Sequence, residues 1–109
     1  MGQRDAMKTY SGSRTIDGIK VEVDGQLLDE RYDIQRFTNG GFEWTYEGNE
    51  PRQLALAVLA DHFGDDGKAL QLCEVFMKAA VADLDNDWTL TTADIDRILD
   101  DLAAVEGGT

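Results

Sequence analysis

The segment from residue 83 to residue 94 carries the side chains best suited to binding a metal ion. A twelve-residue calcium loop places oxygen ligands at positions 1, 3, 5, 7, 9 and 12 and an apolar residue at position 8. Leu90 occupies position 8, but Trp88 stands where a sharp turn needs glycine, and Asp94 replaces the usual glutamate at position 12. The pattern predicts a single calcium site or, alternatively, a solvated turn between two helices with a threonine cap. The six ligand positions are Asp83, Asp85, Asp87, Thr89, Thr91 and Asp94.

Side chains that could support catalysis are few. His62 is the only histidine and Cys73 the only cysteine, and no nucleophile motif, phosphate loop or dinucleotide fingerprint accompanies them. A lone cysteine in an apolar helical run is expected to be a small core residue, and it cannot form an internal disulfide. We therefore expect a protein that is not an enzyme and needs no cofactor, unless calcium binds.

The charge balance restricts the partners. The chain has 22 acidic and 10 basic residues, a formal net charge of −12. This disfavours binding to a nucleic-acid backbone, which is contacted through Lys and Arg, and to an anionic membrane. Two interpretations stay open: adaptation of the whole surface to high salt, or mimicry of nucleic acid to inhibit a DNA-binding enzyme. Acids occur in every segment and 15 of them are Asp, whereas Lys numbers only 4, which favours the salt-adapted protein of a halophilic archaeon.

The elements that must position these residues fall into two halves. The first half predicts strands at residues 7–10, 19–23 and 42–46, with a turn or bulge at 11–13 and a tight hairpin at Asp24-Gly25 that returns through residues 26–28. The second half predicts helices that begin near Asn49, which would be the N-cap, near Lys68 and near Thr91.

This order predicts an α+β fold, with an N-terminal antiparallel sheet of three to four strands followed by three helices. We expect one domain over residues 7–105, with flexible ends at 1–6 and 106–109. No apolar stretch approaches the roughly 20 residues of a membrane span, and no secretory signal is evident, so we expect a cytoplasmic protein. In the third helix, Asp96 and Asp100 lie four residues apart and repel each other, which predicts that added salt stabilises the fold.

The segment from Phe42 to Leu59 reads F-E-W-T-Y-E-G-N-E-P-R-Q-L-A-L-A-V-L. It resembles a motif of domain of unknown function 6166, approximately F-x-W-G-Y-x-G-S-G-P-x-Q-L-A-L-A-I-L, a family seen in bacteria, haloarchaea, their viruses and plasmids. An upstream Y-x-G-x-R pattern is matched by Tyr10, Gly12 and Arg14, and a tryptophan before the last helix by Trp88. The chain departs from the motif at three positions, with Thr45 for Gly, Asn49 for Ser and Glu50 for Gly.

The resemblance brings no assigned activity. The family's occurrence on mobile elements implies an accessory or counter-defence role, and the bulky charge of Glu50 argues against a phosphate-binding turn. We expect a small interaction or regulatory protein whose partner is another protein, with a single-site calcium binder or an acidic nucleic-acid mimic as alternatives. The candidate interaction residues, which lie at the junction of strand and helix, are Arg14, Trp44, Tyr46, Asn49 and Gln53.

Overall fold

Four antiparallel strands form one sheet in the computed structural model, which describes residues 7–107 and their side chains through residue 104. The order across the sheet is β3-β2-β1-β4. Three helices complete the fold, so the predicted α+β class is confirmed. Flexible ends are expected at 1–6 and 106–109; residues 1–6, 108 and 109 lie outside the described residues, and residues 106 and 107 belong to the last helix. The elements are β1 (Thr9–Thr15), β2 (Gly18–Val23), β3 (Gln26–Leu27), α1 (Asn49–Phe63), α2 (Asp66–Ala79), a short 3-10 helix (Val81–Asp83), β4 (Trp88–Thr91) and α3 (Thr92–Gly107).

The first strand is longer than the sequence predicts. The turn or bulge expected at residues 11–13 is wrong, because β1 continues without an extra residue through Gly12, which pairs with Val21 of β2. Glycine marks a close approach of another group here rather than a break in the strand. The hairpin between β2 and β3 is confirmed: Asp24 and Gly25 adopt φ angles of 51° and 85°, as a two-residue turn requires.

The expected strand at residues 42–46 does not form. Gly41 and Thr45 adopt φ angles of 79° and 81°, and such angles interrupt an extended chain. Phe42 and Trp44 are nevertheless buried, whereas Tyr46 is exposed. The sheet instead takes its fourth strand from residues 88–91, predicted as part of a loop, which pair with β1.

The core lies around α1. Its apolar residues from Leu54 to Ala60 are almost completely buried, because α1 packs closely against α2 and is apolar around most of its circumference. Cys73 of α2 is fully buried, as the sequence predicts, and burial raises the pKa of its thiol. In the described part of the chain, no helix is long and apolar enough to cross a membrane.

The helix ends agree with the sequence in part. Asn49 is the first residue of α1 and not its N-cap, a position held by Gly48, which has no side chain to cap with. In α2, Asp65 caps the amide of Lys68 at 3.1 Å, so the helix begins two residues before Lys68. It ends at Ala79, and the 3-10 turn at Val81–Asp83 follows it.

The start of α3 is the predicted capping box. The Asp94 carboxylate accepts from the Thr91 amide at 3.0 Å, and the Thr91 hydroxyl accepts from the Asp94 amide at 3.1 Å. Each side chain therefore satisfies an amide that the first helical turn leaves unpaired. The helix continues to Gly107, so Asp100 lies more than one turn before its end.

Candidate functional site

Gln53 ties the long connection between β3 and α1 to the first turns of the helix. Its side chain is fully buried, and its amide oxygen accepts from the Phe37 backbone amide at 2.8 Å. Its amide nitrogen donates to the carbonyl oxygens of Glu30 and Gln35 at 2.8 and 3.0 Å. All three contacts are internal, so this candidate holds a loop in place and offers little to a partner.

Arg14 joins β1 to the segment that precedes α1. Its guanidinium lies 4.6 Å from the ring centroid of Trp44 and donates to the Trp44 carbonyl oxygen at 3.1 Å. It also contacts the Glu43 carboxylate and donates to the Asn86 side chain at 3.0 Å. The positive charge is therefore shared by a carboxylate, a carbonyl and an aromatic face.

Trp44 is fully buried, and its ring meets Trp88 edge-on at a centroid distance of 5.7 Å. Among the described residues, neither indole nitrogen has a hydrogen-bond partner. Tyr10 of β1 is also buried, and burial, reinforced by the nearby Asp61 charge, raises the pKa of its hydroxyl. Trp44 lies beneath Arg14, and all three rings are too deeply buried to contact a partner.

Glu50 accepts hydrogen bonds from two hydroxyl groups at the start of α1. Thr38 and Tyr46 donate to its two carboxylate oxygens at 2.6 and 3.0 Å. The hydrogen bond from Thr38 is the main reason that the pKa of Glu50 lies below its usual value, whereas partial burial and then this carboxylate raise the pKa of Tyr46. Asn49 is exposed beside them. The five candidates thus lie around one junction, but only Tyr46 and Asn49 present much surface.

A groove lies between the sheet edge and the loop before α1. Its volume is about 750 Å³, within the range of ligand-binding pockets. The walls come from β2, from the chain that leaves β3 and from the 40–43 loop. Sequence patterns did not predict it, because the gap exists only where β3 ends after two residues. The apolar lining residues are Ile19, Val21, Leu27, Leu28 and Phe42, and the acidic ones are Asp29, Glu30 and Glu43.

The six residues of the predicted calcium loop are spread over different elements. Asp83 ends the 3-10 helix, Thr89 lies in β4, and Asp94 caps α3 while it accepts from Arg97 at 2.8 Å. In the described part of the chain, no group of three or more His, Cys, Asp or Glu residues is placed to hold a metal ion. The other three predicted ligands are Asp85, Asp87 and Thr91. Calcium binding by these six residues stays a prediction.

Comparison with known proteins places the chain in a family. No protein of curated function and no solved structure matches it. A family described only as one of unknown function, DUF6166, matches residues 10–101, which spans every element from β1 to most of α3. The junction residues and the groove both lie within the matched region. The chain therefore belongs to DUF6166, the family that its Y-x-G-x-R and F-x-W segments resemble.

Proposed function

We propose that this protein is a small non-enzymatic interaction or regulatory module that binds another protein in the cytoplasm of a halophilic archaeon, where it acts as an accessory or counter-defence factor of a virus or plasmid. The observation that carries the proposal is a set of exposed apolar side chains in β2, β3 and the turn before β2, two of which, Ile19 and Leu27, line the groove. Ile16 and Leu27 are exposed, and Ile19 is exposed over 38 % of its surface. Soluble proteins place grouped apolar side chains at the surface mainly where partners bind.

The use of the polar junction residues supports binding rather than catalysis. Arg14, Gln53 and Glu50 make their hydrogen bonds within the chain. His62 contacts Asp96 at 2.8 Å between Nε2 and a carboxylate oxygen, and its side chain is only 8 % exposed. A catalytic pair needs a free nucleophile or base that can reach a substrate, and these side chains are already engaged.

The charge distribution supports the cellular setting. With a net charge of −12, two proteins of this kind repel each other in dilute buffer, whereas molar salt reduces the Debye length to about 3 Å and screens that repulsion. Apolar contacts keep their strength under such conditions. A partner in a salt-rich cytoplasm would therefore be held mainly by apolar burial around Ile19 and Leu27, which line the groove.

Affinity capture tests the proposal. The tagged protein is incubated with a haloarchaeal lysate in molar KCl, and bound proteins are identified by mass spectrometry. A Leu27→Asp variant should lose the partner, while Leu70→Asp, which places the same charge on an exposed apolar residue of α2, should retain it. If both variants still capture the partner, or if no protein is captured at any salt concentration, the result would contradict an interaction module that uses this surface.

A further inference from the structure

The outer edge of β2 is only partly covered. Val23 pairs with Gln26 and Glu22 with Leu27, and β3 ends there. One further bond, from the Leu28 amide to the Val21 carbonyl oxygen at 3.0 Å, closes this side of the strand. Backbone groups alternate between the two sides of an antiparallel strand, so Ile19, like Val21, directs its N–H and C=O away from β1.

No backbone hydrogen bond among the described residues reaches the outer side of Ile19. Its neighbours in sequence face the other way: Gly18 and Lys20 pair with Thr15 and Ser13 of β1. An exposed row of unpaired backbone groups is a template for an added strand. Here the free edge consists of the outward N–H and C=O of Ile19, directly beside the groove.

The groove gives this edge a place for side chains. Ile19 lies opposite Arg14 in the β1–β2 ladder, and directly opposed residues share one face of the sheet. Its side chain therefore points toward the face that packs against Trp44 and the 40–43 loop. An apolar side chain from an added strand, placed next to Ile19, would reach Phe42 and Leu28 across the groove.

The charges around the groove select the partner. Asp29 and Glu30 line it, and no cationic side chain among the described residues forms an ion pair with either of them. An incoming Lys or Arg could therefore form an ion pair with either carboxylate, although one oxygen of Asp29 already accepts from the Arg31 amide at 2.7 Å. A second copy of the chain would bring a further charge of −12 to an acidic rim, which disfavours self-pairing because like charges across an interface repel.

We propose that the free edge of β2 at Ile19 binds an extended segment of a partner protein by β-strand addition, and that this segment carries a β-branched apolar residue beside Ile19 with Lys or Arg nearby. Main-chain hydrogen bonds to Ile19 provide affinity, while the groove and its carboxylates provide specificity. The inference rests on the proposed interaction function and names its binding mode and partner chemistry.

The test uses heptapeptides selected on the full-length protein from a random peptide display library. Selected peptides should contain alternating apolar and basic residues. N-methylation of the peptide backbone should abolish binding at one set of alternating positions and spare the other, because only every second residue bonds to the edge. In ¹⁵N-labelled protein, the largest shifts should fall on the amides of residues 19–21.

Ile19→Pro is the matching protein variant. Proline on an edge strand removes an outward N–H without removing a bond to β1, so the sheet should survive, which circular dichroism checks. Binding should weaken about tenfold, the effect of losing one hydrogen bond and some apolar contact, while Leu70→Asp should bind as the parent does. If the variant does not fold, the N-methylated peptides decide the outcome alone.

Peptides that bind regardless of N-methylation and of Ile19→Pro would overturn strand addition but leave the interaction function standing. Failure to select any peptide would also overturn the inference, and the interaction function would fall only if lysate capture failed too. A dimer in light scattering that Ile19→Pro dissociates would show that a second copy occupies the edge, which contradicts the proposed partner.

Discussion

The indole ring of Trp88 lies directly against the backbone of Gly12. A Cβ atom added at position 12 would be 2.3 Å from Nε1 of Trp88 and 2.5 Å from the adjacent ring carbon. The two residues are paired across the β1–β4 ladder, so neither strand can move away without breaking the sheet. Glycine in the Y-x-G-x-R segment is therefore required by contact with an aromatic ring, not by a turn.

Replacing Gly12 with alanine should destabilise the protein by about 2 kcal/mol, because an overfilled core displaces side chains or backbone. The urea midpoint measures this change. Adding Trp88→Leu should make the alanine less costly, since the smaller side chain leaves room at position 12. If the two substitutions simply add, the contact between the ring and the glycine is not what limits this position.

Thr45→Gly should raise stability by about 1 kcal/mol. Thr45 has a φ of 81°, where a β-branched residue is strained and glycine is not. The family motif carries glycine at this position, which agrees with the backbone geometry. Thr89→Gly, at an exposed position of β4, is the matched control and should lose about 1 kcal/mol. If Thr45→Gly and Thr89→Gly both have lower thermal midpoints than the parent, the backbone at Thr45 is not strained.

Gln53→Leu should cost about 3 kcal/mol. It would leave the Phe37 amide and two carbonyl oxygens without their buried partner, and each unpaired buried group costs about 1–3 kcal/mol. Limited proteolysis should then cut the connection between β3 and α1, because Gln53 is its anchor. Gln71→Leu on the exposed face of α2 should leave both stability and proteolysis unchanged. If Gln53→Leu and Gln71→Leu resist proteolysis equally, Gln53 does not anchor the connection between β3 and α1.

Added salt should stabilise the protein. Thermal midpoints are expected to rise from dilute buffer to molar KCl, because the net charge of −12 makes the folded chain repel itself. Asp100→Lys should stabilise the fold by about 0.5 kcal/mol in dilute buffer, since it places a cation four residues from Asp96 on α3. The benefit should disappear in high salt. A melting temperature that is flat across this range would exclude salt adaptation of the fold.

Acid should weaken the start of α3. The hydrogen bond from the Thr91 amide, more than any other interaction, lowers the pKa of Asp94. Its contribution to stability is fully present above the unfolded pKa of about 3.9 and is lost as the pH falls through the lower folded pKa. Between neutral pH and pH 3, the urea midpoint of Asp94→Asn should therefore fall less than that of the parent protein. An unchanged slope would mean that this carboxylate does not couple folding to pH.

Local chemistry in the sequence determined much of the secondary structure. Asp24-Gly25 fixes a hairpin because both residues tolerate positive φ, and Thr91 with Asp94 fixes the start of α3 through reciprocal capping. The apolar run in α1 predicts its burial, and the charge excess is independent of fold. These features depend on residues close in sequence, so pattern alone identifies them.

Only the tertiary structure decided which segments pair and which surfaces stay open. Alternating aromatics at residues 42–46 predict a strand, but positive φ at Thr45 prevents it, and residues 88–91 take the place beside β1. Gln53 is recognisable as a candidate, yet its role depends on three backbone groups that lie 16, 18 and 23 residues away in sequence, at Phe37, Gln35 and Glu30. The groove beside Ile19 likewise exists because β3 is short and the following loop passes across the sheet edge. Contacts between distant segments arise from packing of the whole chain, and local sequence patterns do not encode them.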